Sequence, residues 1–583
     1  MPTSLVEGNS LLAIDIGAVN TRAAYFDVVE GGYRFIALGQ SPTTTGAVVR
    51  NIMIGVQLAI ENLQTLLGKP LMDDEGRLLI PSQPDGSGVD SMLTTLSVGP
   101  AIKTLLVGLL PEVSLKSVEN LAQTTYTRVV DTISLSDRRL PDEQVDAIVR
   151  YSPELVLIAG GVDGGASNSI QKVLEIIGLA AYLLPETKRP AVLFAGNKAL
   201  AKEVRNSLNN IAATVQVCSN LRPTLEIEDL APAQRELADL VVKLRQKQMG
   251  ELEEAYTLSG GIMLPSSYAQ GRMVRFLSSY FGSGKGVLSL DVGASAISMG
   301  ASFSGDLHLK VYPQLGLGEA LANLTKYTSL DEIARWLALD LKTEMIRDYL
   351  AQKALYPAYI PAAVEELAIE QALVRQNLQL ATRWMLPRLP ARWRPRHGLL
   401  PSFEPILASG AAITNAPTLG QKLLMLLDGL QPAGITTFAI DQNNLLAMLG
   451  AAVEVNNILP VQVLDSGALS YLATVITPVT QAKYGTPIVQ LKLVRENGEE
   501  ITSEVKMGSL KVLPLESGQT ARLQLRPMLR ADVGLGPGRA GEVDVIGSAL
   551  GVVIDARGRP LQLPAEPAKR RELAQKWLST LGG

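Results

Sequence analysis

The apolar and polar positions of residues 10–40 alternate with a period of two, broken by two short turns. In Leu11–Asp27, LLAIDIGAVNTRAAYFD, four apolar residues lead into Asp15. Gly17 follows, then a turn over Ala18–Thr21, then a second apolar run after Arg22. The pattern predicts strand, tight turn, strand, and a Gly31-Gly32 turn adds a third strand in an antiparallel meander. Alone, the stretch reads as a hairpin. Its turn also presents an acidic side chain beside backbone N–H groups at one sheet end, a setting that favours phosphate. Residues 43–67 predict one long, largely buried helix through Val48, Val49, Ile52, Ile54, Val56, Leu58, Ile60 and Leu63. Leu78–Ile80 and Ser91–Val98 predict short strands.

The texture changes between residues 101 and 250. Apolar strands at Arg128–Ile133, Leu155–Ala159, Ala191–Ala195 and Thr214–Cys218 alternate with helical stretches at Pro141–Arg150, Asn168–Gly178, Lys198–Leu208 and Ala233–Gln248. Such alternation predicts βαβ units and a parallel sheet. Three strands end in AGGVDGG (Ala159–Gly165), AGN (Ala195–Asn197) and CSN (Cys218–Asn220), where a second ligand site or plain βα turns are both expected.

Residues 286–312 repeat the opening. Another apolar strand runs into Asp291-Val292-Gly293, followed by a second strand, a Gly305-Asp306 turn and a third strand. The two aspartates are 276 residues apart (291 − 15). Two such units predict two halves facing across a cleft, each offering one carboxylate and one phosphate-sized loop. Helices are expected at Glu319–Leu324, Leu330–Leu341, Thr343–Leu350 and Ala362–Met385. The basic segment Arg383–His397, with Arg388, Arg392, Arg394 and Arg396 among prolines and Trp384 and Trp393, reads either as a strip for nucleic acid or an acidic partner or, favoured by the acidic chain as a whole, as a Pro-stiffened surface crossing whose tryptophans anchor to the core. An apolar strand then enters Ser409-Gly410-Ala411, a short strand spans Thr436–Ile440, and Asp441 is expected to cap a helix over Gln442–Val455. From Val461 to Ile554 β-like runs follow one another, and Pro567–Leu581 reads as a basic amphipathic helix.

Composition narrows the chemistry. With 583 residues the chain exceeds a single core. A formal net charge of −4 disfavours nonspecific binding to nucleic acid or anionic membrane. One cysteine, Cys218, excludes an intrachain disulfide and a single-chain Fe–S cluster. Two histidines, His308 and His397, leave almost no material for a histidine metal site or a Ser-His-Asp triad. The N-terminus lacks a basic and apolar leader pattern, and no window reads as a membrane span, so the expected location is cytoplasmic. The loop Gly534–Gly541 lacks the Lys and Ser/Thr of a P-loop.

LAIDIGAVNT, LSLDVGASA and ILASGAA, in this order, resemble the two phosphate motifs and the adenosine motif of the actin/Hsp70/sugar-kinase superfamily. VGLLPEVS, LVLIAGGVDGG, VLFAGNKAL, LRPTL and VYPQLGLGEALANL are similar to the MutL/GlmL proteins associated with adenosylcobalamin-dependent glutamate mutase, which are distinct from the DNA-repair protein of the same name. The resemblance covers roughly residues 10–465. It implies an α/β fold: a duplicated actin-like ATPase (ribonuclease H-like) core with an inserted parallel α/β subdomain, followed by a C-terminal all-β domain that it does not explain. The implied divisions are 1–100 and 251–460 for the two halves, 101–250 for the insert, 461–565 for the β domain and 566–583 for the helix.

The resemblance also implies ATP and Mg²⁺ as cofactors. Asp15 and Asp291 would lie on either side of the phosphates, hold Mg²⁺ through water and orient an attacking water. Backbone at Gly17, Ala18, Gly293, Ala294 and Ser295 would cradle phosphates, Thr21 would add a hydroxyl, and Gly410 and Ala411 would back the adenine. The expected role is reactivation of a cobalamin-dependent mutase through nucleotide-dependent cleft closure, with self-association left open. Ala18 stands where the superfamily usually carries Ser or Thr, and no acidic residue follows in Gly293–Ser298. The site is thereby better equipped to hold a nucleotide than to cleave one, and a slow ATPase and a non-hydrolysing binder both stay open. A small-molecule kinase using Asp163 as base, and an actin-like scaffold or filament, are the alternatives.

Overall fold

The structure, a computed structural model, describes residues 9–46, 49–165, 168–281, 284–395 and 398–582. Strands β1 (Leu11–Ile16), β2 (Asn20–Val29), β3 (Gly32–Pro42) and β4 (Ser91–Leu96) are followed by an insert carrying β5 (Ile102–Gly108), β6 (Thr127–Ile133), β7 (Leu155–Ala159), β8 (Ala191–Phe194) and β9 (Thr214–Val217). Then β10 (Met263–Pro265) closes the first sheet, in the order β10-β4-β1-β2-β3. β1 pairs antiparallel with β2 and parallel with β4.

The second half repeats this plan with β11 (Gly286–Val292), β12 (Ile297–Phe303), β13 (Asp306–Tyr312), β14 (Phe403–Ser409) and β15 (Gly434–Ile440), in the order β13-β12-β11-β14-β15. β11 pairs antiparallel with β12 and parallel with β14. Every residue of β1 is buried, as expected of a central strand covered on both faces. Each half then sends a helix across the other: Ser266–Phe281 after β10 and Leu445–Ala452 after β15. They cross in backbone contact, and a Cβ on Gly450 would lie 1.9 Å from the Ala269 carbonyl oxygen.

The insert is a five-stranded parallel sheet in the order β6-β5-β7-β8-β9. Its inner strand β5, between β6 and β7, is not among the expected strands. IKTLLVG is buried at every position but Lys103, because both faces are covered, and its short apolar run Leu105–Val107 carries no period.

Several local expectations shift. The first helix spans Ile52–Leu67, not 43–67, because Asn51 caps it by accepting from the Met53 N–H at 2.9 Å. Ile54 and Leu58 face outward on it, and Val48 lies outside the described residues. Leu78 makes only an isolated bridge to Met72, and Leu330–Ala334 is the helix found within 330–341. Residues 458–465 are helical rather than β.

The β-rich C-terminal region divides between two sheets. β16 (Ser470–Thr477), β19 (Leu510–Leu513) and β22 (Val552–Asp555) extend the second-half sheet, whereas β17 (Pro487–Arg495), β18 (Glu500–Lys506), β20 (Thr520–Pro527) and β21 (Gly541–Ile546) form their own antiparallel sheet. The helix Pro567–Thr580 folds back so that Trp577 and Leu581 join the second-half core. The tryptophans of the basic segment are anchored as expected, Trp393 at 4.9 Å from the Phe303 ring and Trp384 at 5.7 Å from Tyr312. Arg396 and His397 lie outside the described residues.

Candidate functional site at the cleft between the halves

The two Asp-x-Gly turns are built alike. The Gly17 N–H donates to the Asn20 carbonyl at 3.0 Å, and the Gly293 N–H donates to the Ala296 carbonyl at 3.0 Å. A Cβ at Gly17 would fall 2.6 Å from the Asn20 carbonyl oxygen, so the turn requires glycine. The closing bond uses the glycine N–H in each turn. The N–H groups of Ala18, Val19, Ala294 and Ser295 have no hydrogen-bond partner among the described residues, and all four residues are half-buried.

Each aspartate is held by its neighbours across the sheet. Asp15 is in register with Thr95 on β4, whose hydroxyl donates to Oδ1 at 2.7 Å. Asp291 is in register with Ser409 on β14, whose hydroxyl donates to Oδ1 at 3.0 Å. Asp15 also accepts from the Ser266 hydroxyl at 2.9 Å and lies 3.5 Å from Arg22. Asn444, from the second half, donates to its Oδ2 at 3.0 Å.

Burial pushes the Asp291 carboxyl up to about 6; Ser409 opposes this and the charge of Asp15 adds to it. Asp441 is buried and its carboxyl is raised by that burial, although it accepts from the N–H groups of Leu445 and Leu446, both at 2.8 Å. It caps the helix from four residues upstream of Leu445, because Asn444 turns the chain with a φ of 59°. Tyr126, from the insert, packs on Ala296 and Val311, and its phenol is raised chiefly by burial, then by Asp291 and Asp15.

Tyr126, Ser266, Asp291, Ser409 and Asn444 enclose a cavity with about 10 Å³ for water centres, which is about one water molecule. The space left beside Asp291 thus takes no more than a water.

The other expected residues take varied places. Thr21 is fully buried behind the first turn, its hydroxyl 2.9 Å from that of Thr43, which donates to the Gly17 carbonyl. Gly410 has a φ of 101°, and a Cβ there would sit 2.3 Å from the Val292 carbonyl oxygen; it seats the end of β14 on the second turn. Ala411 starts the short helix Ala411–Thr414. Asp163 lies in the insert, accepting from Asn220 at 3.0 Å and from the Lys198 N–H at 3.3 Å. These contacts, Asn220 first, hold its carboxyl below the ordinary range, the reverse of what a general base needs. Thr95, Ser266, Asn444 and Tyr126 were missed by sequence reasoning, since each reaches the aspartates only through long-range packing.

No group of three or more His, Cys, Asp or Glu side chains that could hold a metal occurs among the described residues. Two carboxylates with neighbouring hydroxyls do suit a hard cation that keeps most of its waters, as Mg²⁺ does. No helix of the described residues is long and apolar enough to cross a membrane.

Twin sheets of one strand order, crossing helices between them and matched aspartates define an actin-like fold in duplicate. The model of the MutL protein family matches residues 11–467, and the chain belongs to that family. Protein MutL of Clostridium tetanomorphum is 22% identical over 393 residues, covering 64% of this chain and 78% of that protein. Among solved structures, nucleotide-free acetone carboxylase superposes with a TM-score of 0.33 at 11% identity, covering 86% of this chain and 81% of that one. Component A of (R)-2-hydroxyglutaryl-CoA dehydratase from Acidaminococcus fermentans gives 0.25 at 10% identity, covering 76% and 97%.

Proposed function

We propose that the chain binds ATP between its halves and uses the opening and closing of that cleft to act on a partner enzyme. The observation that carries the reading is the pair of matched turns, each placing two unpartnered N–H groups beside an aspartate. Clustered amides of this kind favour phosphate oxygens, and phosphoryl groups are handled by positioning and charge neutralisation rather than by a nucleophilic side chain. Asp15 and Asp291 would hold Mg²⁺ through water, and the ion would offset phosphate charge. Asn444 must release Asp15 for a nucleotide to enter, so binding and cleft motion are coupled. The partner is an adenosylcobalamin-dependent mutase, and the action is reactivation; this part rests on the likeness to mutase-associated MutL proteins.

The test is calorimetric titration of the full chain with ATP and Mg²⁺, beside Asp15→Asn and Asp291→Asn. Saturable binding weakened in both variants supports the nucleotide reading; no binding to the wild type sinks it. Capture of a cobalamin mutase subunit that is strengthened or released by ATP supports the chaperone role. A metabolite that accelerates turnover would instead make the protein a kinase.

A further inference from the structure

A second cavity lies away from the cleft, beneath the C-terminal helix. It encloses about 180 Å³ between the helix Val364–Met385, the segment Arg335–Leu339 and the helix Pro567–Thr580. An apolar cavity of roughly 150 Å³ already accepts a benzene-sized molecule. Trp336, Leu367, Leu424 and Leu578 supply apolar wall.

The polar groups in it are unusual in kind. Gln371 is only 6% exposed, and its Nε2 has no hydrogen-bond partner among the described residues. The Nε atoms of Arg335 and Arg570, also on the wall, likewise have none. All three are donors. Three guanidiniums line the cavity, those of Arg335, Arg375 and Arg570, against one carboxylate, Asp428. Asp428 is already engaged, by Arg375 at 3.0 Å and by Arg557 at 2.7 Å. Arg335 is in turn paired with Glu332 at 3.1 Å, so the surplus in the cavity is one of buried donors without acceptors, with Arg570 the lining guanidinium that pairs with no carboxylate among the described residues. A buried amide donor without a partner is costly, and a ligand oxygen there would relieve that cost.

We infer that this cavity is a binding site for a small monocarboxylate with a compact apolar body. Its carboxylate accepts from Gln371, Arg335 and Arg570, and its hydrocarbon part lies against Trp336, Leu367 and Leu578. A carboxylate has about four acceptor positions, enough for these donors. A neutral alcohol of the same size offers fewer acceptors and no charge. A primary ammonium of that size repels the arginines.

The experiment titrates the full chain, without nucleotide, with hexanoate and benzoate, and with 1-hexanol and hexylamine as neutral and cationic controls. Heat of binding and thermal transition are both read. At least one carboxylate is expected to bind saturably at millimolar concentration or below. 1-Hexanol should bind at least about tenfold more weakly, as the loss of a charge-assisted hydrogen bond requires, and hexylamine not at all. Leu367→Trp, which fills the cavity, should abolish binding. The double variant Arg335→Gln with Arg570→Gln should weaken the carboxylate and leave the alcohol unchanged, which keeps the test decisive should the tryptophan variant fold poorly. The inference is overturned if neither carboxylate binds the wild type, if 1-hexanol binds as tightly as hexanoate, or if a folded Leu367→Trp variant still binds.

Discussion

Asn444 Nδ2 donates to Asp15 Oδ2 at 3.0 Å, joining residues 429 positions apart from opposite halves of the molecule. Asn444 holds a φ of 59°, a left-handed conformation that asparagine tolerates better than most residues and glycine best of all. Two substitutions therefore separate the hydrogen bond from the backbone. Asn444→Gly removes the donor and keeps the turn. Asn444→Ala removes the donor and adds left-handed strain of roughly 1–2 kcal/mol. The alanine variant should melt below the glycine variant, and thermal unfolding decides it. Under the proposed function both should admit ATP faster than the wild type, which stopped-flow binding would detect. Unchanged association in both would remove Asn444 as the latch.

Asp291 gives the cleft a pH dependence. Its carboxyl is raised from an ordinary 3.8 to about 6, chiefly by burial. A carboxyl raised in the folded state favours the folded protein when protonated. Its contribution is fully present below about pH 3.8 and is lost as pH rises through about 6. Asp291→Asn stays neutral throughout and escapes that loss. The variant should gain on the wild type in melting temperature between pH 4 and pH 7, by the equivalent of roughly 1–3 kcal/mol. A constant difference across this range would contradict the burial argument.

The matched turns were legible in the sequence because their chemistry is local. Asp15 with Gly17 and Asp291 with Gly293 each fit within a few residues, and the repeat reinforced the reading. Ser409-Gly410 was visible as a motif, yet its glycine serves the close approach to Val292. Thr21 looked available and is buried against Thr43, because a strand residue next to a turn can face either side. Asn444 and Tyr126 carry no local signature. One depends on how the second half crosses to the first, the other on where the insert docks. β16 and β22 are buried along almost their whole length where β18, β20 and β21 alternate, but a short β-rich run does not by itself say which sheet it joins.

Gly450 tests the helix crossing below the cleft. A Cβ there would lie 1.9 Å from the Ala269 carbonyl oxygen, and neither backbone can yield without moving its helix. Gly450→Ala raises helix propensity, which alone would stabilise by about 1 kcal/mol. Overpacking at the crossing should outweigh it, for a net loss of about 1–3 kcal/mol. Thermal unfolding reads the sign directly, and a stabilised Gly450→Ala would show that the helices do not meet there. Gly429→Ala is a less severe comparison, because its Cβ would fall 2.5 Å from the Leu378 Cβ and 3.3 Å from the Arg375 carbonyl oxygen, against 1.9 Å at Gly450.

The C-terminal region is fastened to the second half by a buried charge cluster. Arg557 lies between Asp555, at 2.9 Å, and Asp428, at 2.7 Å, and Arg559 completes the group on Asp555 at 2.6 Å. Asp428 also meets Arg375 from the helix Val364–Met385. The arginines hold the Asp555 carboxyl far below its ordinary range despite complete burial. Its contribution is thus present at neutral pH and is lost only as pH falls below the ordinary carboxylate range. Arg557→Met keeps an unbranched apolar stem, shorter than arginine, and leaves the two buried carboxylates with one guanidinium fewer. The expected loss is about 3–5 kcal/mol at pH 7. The deficit should shrink towards pH 4, as Asp555 in the variant takes up a proton that the wild-type arginines exclude. Melting curves of both proteins across that range check the magnitude and the sign together. An equal deficit at every pH would mean that Arg557 acts through packing against Trp577, whose ring lies 4.8 Å from its guanidinium, and not through charge.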